Sequence, residues 1–202
     1  MTESGRFEAT EPPPTGQDDE PVRIVDYDPA WPARFEAERA ALDAEIGAYV
    51  LGGIHHVGST AVHGLAAKPV IDILAGVEDL QAARPCIALV ARLGYLYVPY
   101  RAAEMHWFCK PDRRLRTHHL HLVPATSERF REEIAFRDYL RTHPETAATY
   151  SRLKHALAAR FRNDREAYTE AKTPFIVEVL RLARTRPGVT EDPGDETSRR
   201  VD

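Results

Sequence analysis

The stretch His56-Val-Gly-Ser-Thr-Ala-Val-His-Gly-Leu-Ala-Ala-Lys-Pro-Val-Ile-Asp-Ile-Leu74 gathers a glycine–serine turn, a lysine and a lone carboxylate. Gly58 allows the backbone to come close to a ligand. Free N–H groups there, with the hydroxyls of Ser59 and Thr60, suit a phosphate. Asp72, across the turn, suits the metal ion that accompanies a phosphate. Nucleotidyltransferases use that set of parts. Ser59 and Thr60 equally suit a plain turn or helix cap.

Asp72 lies between Ile71 and Ile73, and a carboxylate inside an apolar strand is costly unless it is paired or bound to a cation. Lys68 is one candidate partner, or a phosphate ligand in its own right. His119 and His121 are two apart in a predicted strand and share a face, while His118 points away. Two imidazoles beside a carboxylate suit a transition-type cation; the other reading is a polar strand face carrying ordinary histidines. Arg116 is of the type that clamps a phosphate bidentately. His55 and His56 face opposite sides, and His56, nearer the turn, is the candidate general base because imidazole titrates near neutrality.

The elements that must position these groups follow from the apolar pattern. Val22–Tyr27 alternates like a strand. Asp28-Pro29 offers an N-cap and a first-turn proline for a helix running to Gly47. Strands are expected over 49–57, 70–77, 95–100, 105–110 and 118–123, the second of them buried in the sheet. A helix capped by Asp79 is expected over 80–93. Helices follow over 127–142, 144–162 and 166–184. Arg137, Asp138, Tyr139, His143, Lys154, Tyr168 and Lys172 on them read as a solvated face, with Tyr168 and Lys172 sharing one side. The fold class is α+β: a mixed sheet over about 21–124, then a helical half over about 125–185. Residues 1–20 and 186–202, poor in large apolar groups, are expected to be disordered.

The chain has 202 residues and a formal charge of −4, which gives no general attraction to nucleic acid or anionic membranes. No apolar run approaches the roughly 20 residues that span a bilayer. Cys86 and Cys109 lack metal-ligand spacing and read as reduced, buried thiols of a cytoplasmic protein, a disulfide being the alternative. There is no P-loop, serine-hydrolase elbow or dinucleotide fingerprint.

Across residues 22–184 the chain resembles the GrpB family, a group with a nucleotidyltransferase-like fold that is also found fused behind dephospho-CoA kinase. The resemblance rests on Val25-Asp-Tyr-Asp-Pro-Ala-Trp-Pro32, on His56–Val62 and Gly64–Ile73, and on Arg116-Thr-His-His-Leu-His-Leu-Val123. It extends to Phe136–Pro144 and Ala167–Thr173. It implies a phosphate-binding turn at Gly58 and Ser59, and a divalent ion (Mg²⁺ or Mn²⁺, with Zn²⁺ the alternative) held by Asp72, His119 and His121. It also implies a nucleotide or CoA-related ligand and dephospho-CoA kinase as a partner. The chain carries His63 where the family commonly has Pro, and His55 where it commonly has Glu. Leu74 stands where nucleotidyltransferases with two metal ions place a second acid.

Overall fold

The computed structural model describes residues 20–185, and the disorder expected over residues 1–19 and 186–202 falls outside them. Val22–Tyr27 does not become a strand of the sheet. It makes one bridge, Val25 with Ala67, and the Val22 N–H donates to the Arg162 carbonyl at 2.7 Å. Its alternation serves a strap between the loop at Ala67 and the C-terminal helices. Helix α1 (Trp31–Ile46) follows. Asp28 Oδ1 accepts from the Ala30 N–H at 2.8 Å. The first-turn proline is Pro32, whereas Pro29, expected in that role, lies in the turn before.

Strands β1 (Val50–Val57), β2 (Ile71–Val77), β3 (Leu96–Val98), β4 (His106–Pro111) and β5 (Arg116–Pro124) form one mixed sheet in the order β1-β2-β5-β4-β3. The β2–β5 pair is parallel and sets Asp72 opposite His119 and Leu74 opposite His121. The other pairs are antiparallel. Helix α2 is only Cys86–Ala91. Proline has no N–H to give and disfavours helix in the residue before it, so Pro85 takes the cap and leaves turns over 80–85.

Three helical stretches expected after the sheet become four helices. They are α3 (Glu128–Thr142), α4 (Pro144–Arg160), α5 (Arg165–Glu170) and α6 (Thr173–Arg184). Ser127 caps α3 and Asp164 caps α5 through their side chains. Pro174 in the first turn of α6 explains the last break, since a helix running on through it would lose a hydrogen bond.

The period of two in the strands divides the interior into two layers. Ile71, Ile73, Ala75 and Val77 of β2 join Leu120 and Leu122 of β5 under Trp31, Phe35, Leu42 and Ile46 of α1. On the opposite face, Leu74, Trp107, Cys109 and Val123 pack with Phe130 and Ile134 of α3. This second face carries Asp72, His119 and His121. Cys86 and Cys109 are free and buried, as expected.

Glycines on neighbouring strands set how closely α3 approaches that face. A Cβ on Gly76 would stand 2.8 Å from both the Gly52 Cα and the Phe130 ring. The ring therefore rests on bare backbone, and the residues one turn further along α3 descend to the sheet. Substituting Gly76→Ala is expected to cost about 1–3 kcal/mol by overpacking, read as a lower midpoint in chemical denaturation. An unchanged midpoint would mean that α3 is not held down there.

Candidate functional site

Gly58 follows directly on β1 with φ +70° and ψ −171°, a combination that side chains other than hydrogen resist. A Cβ on it would run into the Asp72 carboxylate. The turn and the acid are thus in direct apposition, and the next residues, Ser59–Ala61, form a 3₁₀ turn. The Thr60 hydroxyl is already committed: it donates to the Val70 carbonyl at 3.1 Å and lies 3.0 Å from His56 Nε2. Thr60 shapes the loop, and what the turn presents to the cavity is its backbone and Ser59, whose hydroxyl is hydrogen-bonded with Tyr150.

Asp72 Oδ1 lies 2.8 Å from His119 Nδ1. An ionised carboxylate only accepts, so that ring nitrogen carries the proton. The opposite nitrogen, His119 Nε2, is buried and has no partner among the described residues. Burial pushes the Asp72 carboxyl up, but the His119 hydrogen bond and the positive potential of His119, His121 and Lys68 outweigh it and hold the group near 2. Burial dominates at His119 and lowers it to about 4, against the opposing pull of Asp72. The pair is therefore a carboxylate with a neutral imidazole around pH 7. Asp72, His119 and His121 each offer a ligand atom, all within 4.8 Å of one another. An unsatisfied buried imidazole nitrogen beside a carboxylate fits a divalent cation in its donor chemistry.

These groups open onto a cavity of about 850 Å³ that also receives Gly58, Ser59, Lys68, Arg116, Lys154, Arg165, Tyr168 and Lys172. One wall is cationic. Lys68 and Lys172 stand over the Tyr168 ring, 5.5 and 4.6 Å from its centroid. Arg116 lies 5.5 Å over Trp107. Lys154 is only 2 % exposed, 4.8 Å over Tyr150, and donates to the Ala66 carbonyl. Burial, reinforced by neighbouring cations, lowers Lys68 and Lys154 to about 7, and burial alone lowers Lys172 to about 8. The wall is prepared for an anion that would restore their charge.

Sequence and structure agree on Gly58, Ser59, Lys68, Asp72, Arg116, His119 and His121 as neighbours around one cavity. His56 does not join them. It pairs with Ile73 and therefore faces α1, where its ring stacks on Phe35 at 4.7 Å and burial lowers it to about 4. That placement removes it as the base. His55 is also outside, its Nε2 2.7 Å from the Gly52 carbonyl. Arg137, read as part of a solvated helix face, is largely covered and binds Asp138 and the His56 carbonyl. Lys154, read as part of a solvated helix face, is buried in the cavity wall.

Two further residues went unread in the sequence. Glu133 of α3 lies 3.3 Å from His121 Nδ1, and Trp107 donates its indole N–H to His121 Nε2 at 3.2 Å. A signal for Glu133 existed: it stands three residues after Phe130 and one before Ile134, an acid on the apolar side of an amphipathic helix.

A sequence profile of the GrpB family, described as GrpB protein, matches residues 21–182. The chain is 40% identical over 176 residues to a UPF0157 protein of Pseudomonas aeruginosa, across 84% of this chain and 71% of that protein. It is 35% identical over 164 residues to the glutamate-rich protein GrpB of Alkalihalophilus pseudofirmus, across 79% and 94%. The crystal structure of the conserved protein GrpB from Enterococcus faecalis is similar with a TM-score of 0.73 at 33% identity, covering 80% of this chain and 96% of that one. A dephospho-CoA kinase of Mycolicibacterium paratuberculosis is 30% identical over 193 residues, and the match covers 46% of that protein.

Two outcomes test the geometry. Gly58→Ala should cost about 1–3 kcal/mol of stability in denaturant titration, because it forces a strained φ and displaces the Asp72 carboxylate. Pyrophosphate binding at pH 8 should take up protons, because lysines that are largely neutral in the free protein become charged beside an anion. The uptake appears as a binding enthalpy that varies with the buffer's heat of ionisation. It should shrink at pH 6, where the lysines are already charged, and in Lys68→Met.

Proposed function

The chain belongs to the GrpB family, and from that premise we propose that it binds a nucleotide or a CoA-related phosphate ester and carries out metal-assisted nucleotidyl or phosphoryl transfer to a small acceptor. The observation that carries the reading is the convergence of three features on one cavity: the Gly58–Ser59 turn, the Asp72–His119–His121 cluster and the lysine wall. Each is common alone, but together they match what a phosphate ester and its counter-ion require. The sheet and helical half are likewise consistent with a nucleotidyltransferase-like fold, on which the same parts occupy a turn and the strand after it.

In this reading the Ser59 hydroxyl and the turn's N–H groups orient the phosphates. Lys68 and Arg116, with Lys172, offset the negative charge that grows on the transferred group. Asp72, His119 and His121 would hold a divalent cation, which supplies Lewis-acid polarisation of the phosphoryl oxygens. With two imidazoles among the donors, the cluster suits Mn²⁺ or Zn²⁺ better than Mg²⁺, which favours all-oxygen surroundings. Glu104, Glu132, Glu166 and Glu170 line the same cavity and, with the net charge of −4, disfavour a nucleic-acid strand. No helix among the described residues is long and apolar enough to cross a membrane.

One observation favours a second reading. Leu74 faces the site side of β2 but is fully buried among apolar side chains, so β2 brings a single acid to the cavity. That suits a non-catalytic nucleotide or CoA-precursor module that assists a dephospho-CoA kinase, and a relative carries that enzyme's name.

Calorimetric titration with nucleotides and CoA precursors, with and without Mg²⁺, Mn²⁺ or Zn²⁺, separates the two. Transfer chemistry predicts cation-dependent binding that falls at least tenfold in Asp72→Asn. Tight binding that ignores both the cation and the substitution supports the module. Absence of binding across the panel rejects both.

A further inference from the structure

The proposal here rests on the cation reading of the cavity and identifies what completes it. His119 and His121 are held in the same way. His119 presents Nδ1 to the Asp72 carboxylate at 2.8 Å, and His121 presents Nδ1 to the Glu133 carboxylate at 3.3 Å. Each imidazole thus has its Nδ1 proton fixed by an acid and its Nε2 lone pair left over. This is the arrangement in which a histidine serves as a metal ligand, its far nitrogen anchored by a carboxylate that sets the ring's orientation and basicity.

The two lone pairs meet different fates. That of His119 is buried and has no partner among the described residues. That of His121 receives the Trp107 indole N–H at 3.2 Å, and an indole N–H can only donate, so the tautomer is not in question. The Trp107 ring is also 5.0 Å from the His119 ring. One indole therefore stands against both imidazoles, with its donor where a cation would take the lone pair.

Glu133 answers the missing acid of β2. Leu74 lies opposite His121 in the sheet register but is packed into the apolar layer. The carboxylate beside His121 comes instead from α3, which Phe130 seats on Gly52 and Gly76. Arg129, 3.0 Å away, steadies the Glu133 carboxylate. We infer that Glu133 is a positioning residue for a cation site at His119 and His121, and that the Trp107 N–H plugs the His121 lone pair until a borderline divalent cation such as Zn²⁺ or Co²⁺ displaces it.

The test is titration of the full chain with Zn²⁺, and with Co²⁺ for its visible absorption, while following tryptophan fluorescence. The chain has two tryptophans, and Trp31 belongs to the layer on the other side of the sheet. A saturable one-to-one fluorescence change should therefore vanish in Trp107→Phe. That variant should bind Zn²⁺ as tightly as the parent or tighter, because the competing donor is gone. Glu133→Gln should weaken binding by roughly 10- to 100-fold, with Glu133→Asp recovering part of the loss. Thermal melting of the metal-free proteins checks that each variant is folded.

Equal affinity in Glu133→Gln and the parent overturns the positioning role. A loss in Trp107→Phe as large as that in His121→Ala overturns the plug, and this result decides alone should Glu133→Gln fail to fold. If Zn²⁺ binding depends on Asp72 but ignores Glu133 and Trp107, this inference fails while the transfer reading stands. If both substitutions act on Zn²⁺ as expected but no nucleotide binds, the cation site stands and the transfer reading fails.

Discussion

The Asp72 carboxylate lies in a strand whose other side chains are apolar, and much of the surrounding arrangement answers the cost of a charge in that position. An uncompensated carboxylate at such a depth would be protonated or would unfold the strand locally. It is kept ionised by the His119 N–H across the parallel β2–β5 pair and by the positive potential of Lys68. Gly58 has no side chain because the acid occupies that space. The demand for compensation links β1, β2 and β5 at one point, which is also where the cavity opens.

From that point the cavity divides by charge. The imidazoles, Asp72 and Glu133 gather over the sheet, while lysines supplied by the loop before β2 and by the C-terminal helices form the facing wall. Both sets are tuned by burial in the same direction: a neutral His119 imidazole and partly neutral lysines, each ready to gain a charged partner. The aromatic rings of Tyr150 and Tyr168 let the lysines stay inside without carboxylate partners, since a ring face attracts a cation at a smaller desolvation cost than an acid would add. Helix α3 belongs to the site as much as to the core, because its close seat on the glycine pair brings Glu133 to His121.

Where local pattern and tertiary context agreed, the sequence was a sound guide. β2 and β5 are read from apolar runs, and the shared face of His119 and His121 follows from a period of two, while the parallel β2–β5 register brings Asp72 to it. The departures have identifiable causes. Val22–Tyr27 alternates like a strand, yet its backbone pairs with Ala67 and Arg162 rather than with a sheet strand, so it straps the helices instead. Pro85 and Pro174 shorten helices that apolar spacing alone would extend. His56 is adjacent to the turn along the chain but opposite to it through the sheet, because alternation turns it toward Phe35.

The sequence by itself determined the α+β class, the family, the turn at Gly58 and the identity of the three candidate donors Asp72, His119 and His121, because each is carried by a local motif or a fixed period. Only the tertiary structure decided that Glu133 supplies the acid beside His121, that Trp107 occupies its lone pair, and that Lys154 turns inward. Those relations join residues on different elements, and their distances are set by strand register and by how α3 and α4 pack on the sheet. Periodicity along one element carries no information about that packing.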